Sequence, residues 1–412
     1  MPRIDAERLL SDLHQLRAIG AQGRGVVRPA FSAADMEARR WLKRRYEEAG
    51  LEATIDGVGN VLGRSRHSGK ALLIGSHSDT QPTGGWLDGA LGVIYALEVV
   101  RALGADSATR TLPVDAVSFQ DEESRFLGCL GSRSLIGALA PEMEHEVVDS
   151  HGVTLADALH EAGLANVARL RLARERYAGF IEAHIEQGPH LEDAGLRIGV
   201  VTGIVGLRSI RFVFRGQQNH AGTTMMARRR DATTALYELA HRINMEFPKV
   251  AAARSVWTMG RLRVEPNATS IVPGYAELDL QFRDPLDEPL DAFEAVVARL
   301  VSEMNARGGV TIEAVPTRAP IVPTRMDPAL QTHIEAAAER HAAGDWQRMP
   351  SGAFHDAGIV SALIPSAMLF IPSLGGISHD FAEDSREADI VLGCEVLADA
   401  AASVLLAAND RH

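Results

Sequence analysis

The sequence predicts an α/β protein in which a helix-covered sheet is interrupted by an inserted α+β domain. Apolar strand-like runs alternate with helical stretches over roughly the first half of the chain, the pattern of a sheet flanked by helices. A β-α-β-β-α-β order then fills about 110 residues before the earlier pattern resumes, which reads as a ferredoxin-like unit. With 412 residues, 46% of them hydrophobic, the chain is long enough for two domains with substantial cores.

Residues 5–19 and 33–50 have helical spacing; the second stretch opens on Ser32-Ala33-Ala34-Asp35, a capping-box-like start, and closes at Gly50. Strand-like runs follow at 71–75, 114–119, 179–184 and 198–205, separated by helical stretches such as 90–103 and 154–162. In such folds ligands collect beyond the carboxyl ends of strands, where His77 and Glu122-Glu123 fall. Near residue 208 the character changes: strand 208–215, helix 231–244, strands 255–264 and 275–282, helix 290–306, strand 310–315. After Pro323 helix and apolar strand return. The expected domains are 1–210 and 327–412, together one discontinuous unit, with 211–326 inserted.

A formal net charge of -12 argues against nucleic-acid and anionic-membrane partners, which select a basic face, and leaves a small-molecule substrate as the expectation. The first ten residues lack an apolar signal-type core, and no uninterrupted run of 18 apolar residues occurs, so a cytoplasmic location is expected. Two cysteines, Cys129 and Cys394, cannot build a disulfide framework, and Cys129 in Leu127-Gly128-Cys129-Leu130 reads as a buried small hydrophobe.

Four short segments concentrate imidazoles and carboxylates: Gly75-Ser76-His77-Ser78-Asp79 with Asp88-Gly89; Asp121-Glu122-Glu123; His184-Ile185-Glu186-Gln187-Gly188-Pro189; and Gly375-Gly376-Ile377-Ser378-His379. Singly each is weak, because a lone His-Ser-Asp is more often a turn and paired carboxylates are usually solvated. Together they supply the ligand types that divalent zinc takes, each at a strand end or in a glycine-rich loop. Two such cations can polarise a carbonyl and acidify water, the chemistry of amide hydrolysis.

At these segments the sequence resembles the M20 metallopeptidase superfamily and, within it, the hydantoinase/carbamoylase amidases. The resemblance runs over nearly the whole chain. Further pieces of it are Gly84-Gly85-Trp86-Leu87, Asn219-His220-Ala221-Gly222-Thr223-Thr224 and Ser351-Gly352-Ala353-Phe354-His355-Asp356. Peptidase branches usually carry a carboxylate where His184 stands, so the histidine points to the amidase branch. The resemblance implies a dinuclear-metal catalytic domain built on a mixed sheet, with an inserted lid and dimerisation domain. It implies a homodimeric amidohydrolase that cleaves a linear amide bond of an N-carbamoyl-L-amino acid or related ureido acid. An N-acyl amino acid hydrolase or dipeptidase on the same scaffold is the alternative.

Carried over residue by residue, His77 and His184 would hold one cation, Glu123 and His379 a second, and Asp88 both. Zinc is the expected ion, with manganese, cobalt and nickel also accepted by this ligand set. Glu122 would be the general base, and Asp79 the carboxylate that orients the His77 imidazole. His220 would donate to the developing oxyanion from a partner subunit, and Arg283 would clamp the substrate carboxylate. Gln187, Ser270 and His355 match positions that line the substrate pocket. The acidic register has a second possibility. The family usually has two residues between Glu-Glu and Arg-Phe, and here only Ser124 intervenes. Aligning on Arg125-Phe126 would make Asp121 the base and Glu122 the ligand; anchoring on the strand 114–119 favours Glu122 and Glu123.

The chain departs from the family at Ser270, where an asparagine is usual, at Phe354, where a glycine is usual, at Met225 in place of a proline and at Asp380 in place of a small polar residue. None replaces an expected metal ligand. They bear on the substrate, since pocket contacts set specificity.

Overall fold

The computed structural model describes residues 2–409; Met1 and residues 410–412, which belong to the expected discontinuous domain, lie outside the described residues. Two compact units result, Met1–Thr202 with Arg325–His412, and Gly203–Thr324. The second begins earlier than expected from the sequence, because its first strand, Gly206–Arg215, starts before the alternation becomes visible at residue 208.

Among the described residues, seven of the nine strands of the first unit's sheet run in the order Ile198–Ile204, Ser366–Ile371, Tyr177–Ile185, Ala71–His77, Val114–Phe119, Val61–Arg64 and Glu52–Ile55, and two further strands, Thr324–Arg325 and Trp346–Ser351, pair with the first of these. The four from Ser366–Ile371 to Val114–Phe119 are mutually parallel, and antiparallel strands flank them on both sides, making the sheet mixed. Ala71–His77 is buried at every residue, as expected for a strand covered on both faces, and this explains its continuous apolar run. Helix Ala90–Ala105 is apolar nearly all round and packs on that strand and on helix Glu387–Asn409. Burying each large aliphatic side chain there contributes roughly 1.5–3 kcal/mol, and Ile94→Ala would cost about 2–5 kcal/mol through the cavity it leaves.

Helix Glu387–Asn409 is long and apolar enough to cross a membrane, with a mean hydropathy of 2.0, yet 72% of that stretch is buried inside the protein. It is a core helix. The opening helices span Ala6–Ala18 and Ala33–Glu48; Asp5 caps the first, and Ser32 Oγ caps the second by accepting from the backbone N–H of Asp35 at 3.2 Å. The edge strand Glu52–Ile55 and its neighbour Val61–Arg64 escape the sequence reading, because each is only four residues long.

The second unit is a four-stranded antiparallel sheet in the order Val256–Glu265, Tyr275–Asp284, Gly206–Arg215, Thr311–Pro316, the ferredoxin-like arrangement expected. Helices Ala232–Glu246 and Asp287–Ala306 share a core with one of its faces, built on Phe212, Phe214, Leu278, Phe282 and a Phe247–Phe293 stack with ring centroids 4.3 Å apart. The period-2 alternation sends Arg211, Asp279, Gln281 and Arg283 to the other face, where Arg211 pairs with Asp279 at 2.7 Å.

Candidate metal centre

The carboxyl ends of the four parallel strands deliver the expected residues to one place. His77 ends Ala71–His77, Glu122 and Glu123 follow Val114–Phe119, His184 lies near the end of Tyr177–Ile185, and His379 sits in the loop after Ser366–Ile371. Asp88 stands among them. Its Oδ1 lies 3.1 Å from His184 Nε2 and 3.6 Å from His77 Nε2, and its Oδ2 lies 3.3 Å from His379 Nε2. Glu123 Oε1 is 3.6 Å from the same His379 nitrogen. Two groups of ligand atoms result, His77-Asp88-His184 and Asp88-Glu123-His379, each with its atoms within 4.8 Å of one another.

Backbone contacts set the two buried imidazoles. His184 Nδ1 lies 2.8 Å from the carbonyl oxygen of Ile185, and His77 Nδ1 lies 3.0 Å from that of Asp79. A carbonyl only accepts, so Nδ1 carries a proton and leaves Nε2, which faces Asp88, as the nitrogen that can offer a lone pair to a cation. Gly89 then has to be glycine: its φ is +66°, and a Cβ there would lie 2.4 Å from the His77 ring.

The electrostatics call for added positive charge. Burial opposes ionising Asp88, yet the imidazoles of His184, His379 and His77 gathered around it hold its carboxyl well below the usual range. Burial, reinforced by Glu123 and Asp356 against the pull of His77, raises Glu122 well above it. Glu123 is pushed up to about 7 by burial and by Asp88. His379 rises to about 9 beside Asp88. Imidazole lone pairs and crowded carboxylates fit a divalent cation on each side of Asp88.

The remaining expected residues divide. Asp121 is fully buried and its carboxylate is taken up by the backbone N–H groups of Arg125 at 2.7 Å and of Phe126 and Leu127 at 2.9 Å. It holds the loop and turns away from the ligand atoms. Glu122 Oε2 lies 3.7 Å from His77 Nε2, and the Cys129 thiol donates to its Oε1 at 3.7 Å. The Asp79 carboxylate stands 3.8 Å from the His77 imidazole and instead accepts the N–H of Glu123 at 3.1 Å and of Glu122 at 3.4 Å. It orients the acidic loop rather than the imidazole, whose partner is the Asp79 main-chain oxygen. Gln187 donates to Asp88 Oδ2 at 3.1 Å and to Ser378 Oγ at 3.2 Å, and its own amide oxygen is buried without a partner. His355 is 2% exposed, bonds Ser351 Oγ at 3.0 Å and packs its ring 4.6 Å from that of His184, so it backs that imidazole instead of lining open space.

Asp121, Ser124, Cys129, Gln187 and His379 all adopt positive φ without being glycine. Backbone strain of this kind gathers where function over-determines geometry. Sequence reasoning passed over three residues. Gln81 donates to Glu123 Oε2 at 2.7 Å, leaving Oε1 for His379. Glu182 joins Ser76 Oγ at 2.6 Å to the N–H of Ala357 at 2.7 Å; its place two residues before His184 on one strand was the signal that could have found it. Glu383 bonds the N–H of Asp88 at 3.0 Å.

His220, Ser270 and Arg283 lie in the second unit. His220 Nδ1 accepts from the N–H of Gly222 at 3.0 Å and of Thr223 at 3.1 Å. Ser270 presents its main-chain oxygen to the N–H of Ala221 at 3.0 Å. Arg283 donates twice to Gln281 Oε1, at 3.0 and 3.2 Å, and burial together with nearby Arg318 lowers its pKa.

Residues 73–403 match the model of Peptidase family M20/M25/M40, and the chain belongs to that family. Its fold superposes, with a TM-score of 0.93, on a solved hydantoinase/carbamoylase family amidase from Burkholderia phymatum; the two are 51% identical over 99% of this chain and 100% of that one. The chain is 35% identical to an N-carbamoyl-L-amino acid amidohydrolase of Geobacillus stearothermophilus, over 96% of its own length and 97% of the relative's. It is 32% identical to an allantoate amidohydrolase of Bacillus subtilis, over 91% and 92%.

Proposed function

We propose that the chain is a metal-dependent amidohydrolase that cleaves a linear carbon–nitrogen bond of an N-carbamoyl-L-amino acid or a related ureido acid. The observation that carries this reading is the disposition of Asp88, whose two oxygens face different imidazole groups. The names of the relatives support the substrate class. His77 and His184 would hold one cation, Glu123 and His379 the other, and Asp88 both. Such ions, when bound, polarise a carbonyl and lower the pKa of water.

The chain's own residues then divide the work. Glu122 takes a proton from the attacking water as its oxygen bonds to the carbonyl carbon, and passes that proton to the nitrogen as the C–N bond breaks. The Nδ1 of neutral His220 accepts two backbone N–H groups, so its proton sits on Nε2, the state needed to donate to an oxyanion. Arg283, steadied by Gln281, presents a planar fork suited to a carboxylate. The Gln187 amide oxygen, buried and unpartnered, can accept a ureido N–H. A homodimer through the inserted unit is supported by the sheet-edge strand Val256–Glu265, where Val256 and Leu262 are 58% and 54% exposed.

The test is a panel of N-carbamoyl, N-acyl and dipeptide substrates, run on chelated protein with zinc, manganese, cobalt or nickel restored. Metal-dependent turnover greatest on N-carbamoyl amino acids is expected. Greatest turnover on N-acyl amino acids would replace the ureido substrate and leave the hydrolysis intact.

A further inference from the structure

We propose that Glu383 is a positioning residue that fixes the Asp88 loop against the His379 loop, and thereby sets the affinity for the cation facing His379. The inference deepens the two-cation reading above and rests on it. Glu383 is 2% exposed. Its Oε1 accepts the N–H of Leu87 at 3.1 Å and of Asp88 at 3.0 Å, and its Oε2 accepts the Ser378 hydroxyl at 2.8 Å. One carboxylate therefore grips the main chain of the shared ligand and the neighbour of the last one.

The loop that delivers Glu383 is built for the purpose. Asp380 turns it, accepting the N–H of Ala382 on its side chain at 2.8 Å and that of Glu383 on its carbonyl at 3.1 Å. The next residue, Asp384, accepts from Trp86 Nε1 at 3.2 Å, so successive residues of one loop hold successive residues of the other. Space is tight, because a Cβ at Gly85 would lie 1.9 Å from Glu383 Oε1.

His379 depends on this support more than the other ligands do. His77 and His184 are buried in strands of the sheet, whereas the His379 side chain is 49% exposed on a loop residue with φ of 56°. Glutamine at 383 could keep the contacts: its amide oxygen would accept the two backbone N–H groups, and its NH₂ would donate to Ser378 Oγ. Alanine keeps none of them.

The test is a cobalt titration of the chelated full-length chain, followed by visible absorption and elemental analysis. Glu383→Ala should bind one ion as the unaltered protein does and the other about 10- to 100-fold more weakly. Glu383→Gln should stay close to the unaltered protein. Gly85→Ala, which pushes the carboxylate aside, should weaken the same single site. Unaltered affinity for both ions in Glu383→Ala or Gly85→Ala overturns the proposal, and so does a Glu383→Gln protein as weak as Glu383→Ala. Should Glu383→Ala fail to fold, Gly85→Ala and Glu383→Gln decide it on the same terms. Unaltered protein that takes up fewer than two ions overturns the two-cation reading, and this inference with it.

Discussion

Asp79 accepts the backbone N–H of Glu123 at 3.1 Å, so a residue two places after His77 sets the acidic loop on the neighbouring strand. Asp79→Ala should therefore disturb Glu122 and Glu123 while His77 keeps its main-chain partner. Leaving two part-buried N–H groups weakly satisfied costs at most about 1–3 kcal/mol each. The expected result is a lower melting temperature and a reduced kcat, with the His77-His184 ion retained by elemental analysis. Selective loss of that ion would restore the carboxylate to the imidazole.

Asp88→Ala should lose both cations, because each ligand group depends on it. In the cation-free protein Glu123, at about 7, and His379, at about 9, are substantially protonated at neutral pH. Cations displace those protons, so uptake at this pair should tighten as pH rises toward 9 and weaken as it falls below 7. Calorimetry in buffers of different ionisation enthalpy measures the released protons directly. Full metal content in Asp88→Ala would contradict the shared assignment.

Glu122→Gln should keep ions and fold yet lose roughly 10²- to 10⁴-fold in kcat, the usual worth of general base catalysis. Glu123→Gln should weaken one ion. Asp121→Asn should act on stability, since its carboxylate holds three backbone N–H groups. Metal loss at Glu122 with an intact site in Glu123→Gln would favour the shifted register.

Mixing His220→Ala subunits with Glu122→Gln subunits should restore part of the activity if the imidazole works across a dimer. The measurement needs verified heterodimers, and no recovery in them places the histidine in its own chain's site.

Arg283→Ala should lower kcat/KM for carboxylate-bearing substrates by about 10²-fold, consistent with roughly 2–5 kcal/mol for removing one partner of a buried charge pair. An unchanged kcat/KM on every such substrate would end the amino-acid-like assignment and leave metal-dependent hydrolysis standing.

Much of this protein was legible in the sequence because its regularities are strong. Runs buried on both faces, such as Ala71–His77, announce parallel strands, and the glycine-flanked histidines mark their ends. What stayed hidden was direction. Asp79 and Asp121 look interchangeable with the acids around them, and only the backbone N–H groups that each one meets distinguish a loop anchor from a ligand. His355 was visible as a polar residue in a matching motif, but its ring lies against His184 through a long-range packing contact that no local pattern encodes. Glu383 was invisible for the same reason, since its partners at Leu87 and Asp88 lie almost 300 residues earlier.

That separation bears on how the protein is made. His379 precedes Glu387–Asn409, a helix that packs into the core beneath the sheet, so a growing chain has three ligand segments in hand long before the fourth leaves the ribosome. Until that helix docks, the strand Ser366–Ile371 that leads into the His379 loop lacks one of its packing partners. On the two-cation reading, ion loading waits for the segment that carries His379, and a nascent chain stalled between His184 and His379 would hold a half-built centre.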